Sequence, residues 1–460
     1  MAQAKNLTTG NIRKQLVGIA LPIMGTSFIQ MAYSFTDMAW LGRLGSEAVA
    51  SVGVASVLLW LANSISNVNK TGSEVTVGQS LGLEDKKMAA TYASHNITMS
   101  LYISVTLAII YAIFGRNIFG FYLLPKEVED VAVNYLRIVL FGLPSLFASL
   151  AISGIYNASG LSKIPFQISA VGLVLNMILD PLLIFVFKMG VEGAAWATLL
   201  SQTLVLALFV YRLKYKDHLF GGIALFTSLK WKYSKKILSI GLPVAVLNSL
   251  FVFVNIFMGR EASAAAVQSG FASHIGVATL TTGGQLEAIT WNTSQGFATA
   301  LSSVVAQNFA ARKYRRVLDA YKYTLLYTSI FGVFGTLLFV FWGTNLFGLI
   351  VPEKMAYIAG GSYLRIIGYS QLFQMCEIAT QGLFYGVGKS VPPAIISITG
   401  NYLRIPMAIY FVGLGLGLDF IWWAIAISTM MKGTGAAIWA FRLRRSLLRA
   451  EAANILQKGQ

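Results

Sequence analysis

Long apolar runs alternate with short polar stretches along the chain, and within each run the apolar residues are continuous. Residues 97–114, 168–187, 195–211 and 324–342 show this best, each close to the roughly 20 residues a helix needs to cross ~30 Å of hydrocarbon. A membrane β-barrel would instead alternate apolar and polar residues over segments of about ten, so the pattern predicts helices. Marking the runs gives twelve spans, starting near residues 16, 46, 94, 130, 166, 192, 237, 263, 320, 357, 391 and 420. The predicted fold is an all-α integral membrane protein of twelve transmembrane helices.

Composition agrees. Hydrophobic residues make up 56% of the 460, charged residues 12%, and the mean hydropathy is +0.66. A soluble domain is about 25% charged, so this chain lacks the polar surface to hydrate a globule and lipid must be its solvent. The net charge of +17 invites a nucleic-acid reading, which the placement of the charges excludes. Assigning successive loops to opposite sides gives one side Lys5, Arg13, Lys14, Lys86, Lys87, Lys163, seven basic residues within 212–236, Arg312, Lys313, Arg315, Arg316, Lys389 and the basic tail. The other side receives Arg43, Arg116, Lys126, Lys188, Arg260 and Lys354. That asymmetry is the positive-inside bias and predicts a multi-pass plasma-membrane protein with both termini cytoplasmic. The single cysteine, Cys376, excludes an intrachain disulfide and a cysteine-built metal site. The first span lacks the form of a cleaved signal and is expected to remain.

The runs also repeat. Tyr135, Leu136, Arg137 and Ile138 recur as Tyr363, Leu364, Arg365 and Ile366, 228 residues on. At the same offset Gln79 meets Gln307, Gly154 meets Gly382, Gly160 meets Gly388, Pro165 meets Pro393, and Gly172 meets Gly400. The first spans of the two halves align at 221, where Leu21 and Pro22 meet Leu242 and Pro243. The reading is one six-helix module written twice: an N-terminal lobe at 1–213, a basic cytoplasmic linker at 214–236, a C-terminal lobe at 237–442 and a basic tail at 443–460. Six spans per copy keep both copies in the same orientation, the parallel-repeat arrangement of several secondary transporters. The tail, FRLRRSLLRAEAANILQ, reads as a basic helix meeting anionic headgroups.

Ionisable residues within apolar runs carry the chemistry, because an aspartate at mid-bilayer costs about 3 kcal/mol on insertion scales. Asp37, Asp180, Glu287 and Glu377 fall in this class. Gln30, Tyr33, Ser34 and Asp37 are spaced to share one helical face, and the corresponding stripe of the second half reads Phe251, Val254, Asn255 and Met258. Asp37 alternatively marks a helix end near Gly42 and Arg43. Asn176 and Asp180 sit four apart, and Pro181 leaves the carbonyl of Met177 without its helical donor. Carboxylate, amide oxygen and free carbonyl suit a small cation and serve equally for a proton; Thr198, eighteen residues beyond Asp180, can add a hydroxyl. The second half has Arg404 and Ala408 at the positions of Asn176 and Asp180. Glu377 and Arg404 read either as a buried ion pair or as substrate-facing charges, and Glu287, in TTGGQLEAITW, lines the cleft or meets water. His95, His218 and His274 are scattered, and no nucleophilic or metal-ligand spacing appears.

The stretches QMAYSFTDMAWLGRLGSEAVASVG, LNMILDPLLIF with GVEGAAWATLLSQ, and HIGVATLTTGGQLEAITWNTSQGFATALSSVVAQNFAARKYRR resemble the first, fifth to sixth, and eighth helices of the multidrug and toxic compound extrusion (MATE) transporters, most closely the prokaryotic branch with an aspartate in helix one. The resemblance implies a V-shaped pair of six-helix bundles around a central cleft, exporting amphipathic, often cationic, organic compounds in exchange for H+ or Na+. It places ion coupling, including any Na+, at Asp37, Asn176, Asp180 and Thr198, and leaves Gln30, Tyr33, Ser34, Glu287, Glu377 and Arg404 as substrate-cleft candidates. The expected partners are small organic molecules and membrane lipids, with no cofactor beyond the coupling ion, no enzymatic activity and a monomeric chain. The rival within the same superfamily is a flippase for lipid-linked precursors, which should show a basic cleft. An intramembrane enzyme or non-transporting receptor is the rival from another class.

Overall fold

The computed structural model describes residues 3–120, 125–217, 219–351 and 353–458; His218 lies outside them. The described residues are predominantly helical. The first half forms α1 (Ile12–Gly42), α2 (Ser46–Gly82), α3 (Lys86–Gly120), α4 (Lys126–Leu140), α5 (Leu143–Ala158), α6 (Lys163–Pro181) and α7 (Gly190–Tyr211). The second forms α8 (Trp231–Gln268), α9 (Ser273–Ala310), α10 (Tyr314–Ile350), α11 (Lys354–Gly368), α12 (Gln371–Val387), α13 (Val391–Gly413) and α14 (Leu418–Lys458). The α4 and α5 helices form one rod bent by 48°. Counting α11 and α12, which follow one another across a break of the same length, as one rod gives six rods per half among the described residues.

Among the described residues eight helices are long and apolar enough to cross a membrane alone, and the bent α4–α5 pair makes a ninth. The remaining rods, α9, α11 with α12, and α14, are more polar because they hold Glu287, Glu377 and Lys432, which find partners inside the bundle. One predicted start was misplaced. The span expected near residue 263 falls in the last turns of α8, where the small residues of EASAAAV prolong the helix; the turn comes at Gly270, which adopts φ +77°. The basic tail is no separate helix, since α14 runs unbroken for 41 residues. At 1.5 Å per residue that is about 60 Å, roughly twice the hydrocarbon thickness.

The helices gather into two compact units. The first comprises Leu21–Ala245 with the segment up to Thr9, the second the chain from Val246 onward with Gly10–Ala20. The repeated residues have the same local work in each. Gly160 and Gly388 both take left-handed φ, +70° and +84°, to end α5 and α12. A Cβ on Gly154 would strike the carbonyl oxygen of Lys70 on α2, and one on Gly382 would strike that of Ala298 on α9. Lys70 and Ala298 are themselves 228 residues apart, so the same backbone-to-backbone approach is built twice.

The linker is pinned to the first unit. Arg212 pairs with the fully buried Asp217 at 3.0 Å, and the Tyr156 hydroxyl donates to the same carboxylate at 3.2 Å. Beyond it the backbone N–H groups of Ala224 and Thr227 donate to Ser94 and Thr98 on α3, at 2.9 and 3.0 Å.

Candidate functional site

In the first unit, α6 presents Asn176 and Asp180 one turn apart, 3% and 0% exposed. The Asn176 amide donates to Asp180 Oδ1 over a long 3.5 Å, and Asp180 Oδ2 has no hydrogen-bond partner among the described residues. A buried carboxylate oxygen without a donor is unfavourable, and a bound cation or proton would complete it. Pro181 follows, and from Leu182 to Val186 the backbone widens into a π-turn, a distortion common at functional sites. Gly193 lets α7 lie directly on the backbone of Leu183 and Ile184 in that turn. Thr198, five residues further along α7, thereby reaches the site.

Thr198 is the meeting point. Its hydroxyl engages the phenols of Tyr33 on α1 and Tyr135 on α4, both of which lie in the field of Asp37 and Asp180. The two aspartates also act on each other. All four expected coupling residues therefore gather in one cluster. The polar stripe on α1 divides: Tyr33 and Asp37 are partly buried in the cluster, whereas Gln30 and Ser34 are exposed and Ser34 returns its hydroxyl to the Gln30 carbonyl at 3.0 Å.

Sequence reasoning missed Tyr135 as a site residue, although it heads the repeated Tyr-Leu-Arg-Ile. Its counterpart Tyr363 donates to Glu287 Oε2 at 3.1 Å, so each copy sets the same phenol against an acid. The first unit buries a further acid. Glu74 on α2 is 4% exposed and accepts from Asn157 at 3.0 Å, with the Lys70 charge one turn away. Its surroundings, NVNKTGSE, are polar, so it does not stand out as an acid within an apolar run.

The second unit neutralises itself. Glu377 on α12 pairs with Lys432 on α14 at 3.1 Å and accepts from Ser397 and Gln381. Of the two readings of Glu377 and Arg404, the one that pairs them with each other is corrected: Lys432 is the ion-pair partner of Glu377, admitted by Gly400, where any Cβ would strike the lysine stem. The matching Gly172 of the first unit faces Val205, so one notch holds a valine in the first copy and the aliphatic stem of a lysine in the second. Arg404 donates to the hydroxyls of Ser428 at 2.8 Å and Thr429 at 3.0 Å, and Phe251 lies 5.9 Å over its guanidinium. Glu287 accepts from Gln374 at 2.9 Å as well as from Tyr363. These two acids and two bases share one electrostatic neighbourhood and balance.

Two copies of a six-rod helical module with ionisable groups buried inside define a multi-pass membrane protein of the carrier class. A model of the family described as MatE matches residues 22–182 and again 240–410, once per copy, and the chain belongs to this family of membrane transporters. It is 26% identical over 436 residues to the probable multidrug resistance protein NorM of Thermotoga maritima, covering 92% of this chain and 91% of that protein. The probable multidrug resistance protein YpnP of Bacillus subtilis is 26% identical over 440 residues, with 91% and 94% covered. Among solved structures, a MATE transporter in complex with MaL6 superposes with a TM-score of 0.91 at 23% identity, over 98% of this chain and 100% of that one. A MOP superfamily transporter from Pyrococcus furiosus gives 0.89 at 23% identity, over 97% and 99%. At these identities the structural likeness speaks to the fold.

Proposed function

We propose that the protein is a cation-coupled antiporter of the plasma membrane, with both termini cytoplasmic, exporting amphipathic or cationic organic compounds in exchange for H+ or Na+. The observation that carries this reading is Asp180: a fully buried carboxylate with one unpartnered oxygen, beside a second acid, ringed by an amide and three hydroxyls. The names of its relatives, multidrug resistance and multidrug export proteins, support the choice of cargo. The coupling ion is itself transported. It neutralises the carboxylate in one state of the carrier and leaves it in the other, and its presence weakens cargo binding, so cargo must weaken ion binding by the same factor. The lipid-precursor flippase is not carried by these residues, because Lys432 and Arg404 are matched by Glu377 and Glu287 and leave no basic cradle for pyrophosphate.

The test is efflux of a fluorescent organic cation from proteoliposomes under separately imposed proton and sodium gradients. Wild type should respond to one gradient, and Asp37→Asn and Asp180→Asn should each lose most of that response. Undiminished coupled efflux in both variants would sink the assignment.

A further inference from the structure

A groove of about 530 Å³ lies between the first turns of α3 and the linker, two segments that the charge pattern of the sequence assigns to the same, basic side. Its lining includes Lys86, Lys87, Thr91, Ser94, His95 and Thr227. The two linker hydrogen bonds to Ser94 and Thr98 fix the far wall, so the groove is a built feature of the first unit. Three observations describe what it would hold.

The rim is cationic. Lys86 and Lys87 open α3, where the helix end adds its own partial positive charge. The adjacent acid, Asp85, caps the helix by accepting from the Met88 N–H at 2.8 Å. The floor has the opposite need. His95 is 4% exposed, with Nδ1 2.8 Å from the Thr91 carbonyl oxygen. A carbonyl only accepts, so Nδ1 carries a proton, and in the neutral ring Nε2 is then an acceptor; that nitrogen has no partner among the described residues. The ring is held by Tyr233, 4.7 Å away between centroids, which also packs on Tyr92 beneath the Lys236 ammonium. The third observation is depth. Lys86–Phe119 is long and apolar enough to span the bilayer, and the groove lies at its polar end, before the apolar run 97–114.

From these we infer that the groove is a binding site for a phosphate group bearing its own hydrogen-bond donor, the phosphate lying against Lys86 and Lys87 and the donor meeting His95. Two sources share this chemistry: an anionic lipid with a hydroxylated headgroup, such as phosphatidylglycerol, and a free protonated phosphate. The site is separate from the Asp180 cluster and does not depend on the transport reading.

Native mass spectrometry of the full-length protein with equal phosphatidylglycerol and phosphatidylcholine tests the first source. Wild type should keep at least one phosphatidylglycerol more than Lys86→Gln/Lys87→Gln, with about a fivefold fall in retention in the variant. Lys163→Gln, a change on the same face, should match wild type. His95→Phe, which keeps the ring against Tyr233 and removes the acceptor, should fall between them and covers the case of a misfolded double variant. Thermal unfolding against inorganic phosphate at fixed ionic strength tests the second source: a rise in Tm for wild type and none for the double variant assigns the site to free phosphate. If neither lipid retention nor the phosphate response separates wild type from the lysine and histidine variants, the inference is overturned.

Discussion

Asp180 and Glu377 are both buried carboxylates in helices packed among helices, yet their partners differ. Asp180 has one weak donor and an unpartnered oxygen, whereas Glu377 holds an ammonium, a hydroxyl and an amide. Substitution should separate their roles. Asp180→Asn keeps the volume and removes the charge, so it should fold as wild type while losing ion dependence. Tyr135→Phe deletes one phenol from the Thr198 junction and should weaken ion binding by about tenfold, corresponding to a hydrogen bond of about 1–1.5 kcal/mol. Lys432→Met strands Glu377 as an uncompensated buried charge and should destabilise by about 3–5 kcal/mol, read as a lowered Tm in detergent. Lys432→Met/Glu377→Gln should recover most of that loss; no recovery would mean that the pair is not the reason for the effect. The acids at 37, 180, 287 and 377 were legible because charge is rare in apolar runs. Lys432 was not, since its partner lies 55 residues away in sequence and the notch that admits it exists only once α13 and α14 pack.

At the scale of elements, the repeated glycines are steric requirements. Gly154→Val and Gly382→Val each drive a side chain into a neighbouring helix backbone, and both should abolish recovery of monodisperse protein on gel filtration. Gly53→Ala meets no atom within 4 Å and should be neutral or stabilising by up to about 1 kcal/mol. Spacing revealed these positions before their contacts were known, because a Gly recurring at a fixed offset implies the same close approach in each copy. Spacing could not reveal the π-turn after Pro181. A proline predicts a lost hydrogen bond, but whether the helix kinks, breaks or widens depends on what packs against it, here Gly193 of α7. The misplaced eighth span has a similar origin: small residues continue a helix as readily as they begin one, and Gly270 alone marks the turn.

For the molecule as a whole, the two units share a plan and differ in charge. The first gathers Asp37 and Asp180 with no basic partner in the cluster among the described residues, and the second sets Glu287 and Glu377 against Arg404 and Lys432. A carrier with one uncompensated acidic site should bind its ion in the first unit alone. Equilibrium binding of a lipophilic organic cation to the purified protein, over a series of proton and of sodium concentrations, examines that claim most directly. The wild-type Kd should rise with one of the two ions, about tenfold per tenfold increase once the site is filled, and Asp180→Asn should give a flat line. An ion dependence that survives in Asp180→Asn and disappears in Glu377→Gln/Lys432→Met would contradict it and move the coupling site to the second unit.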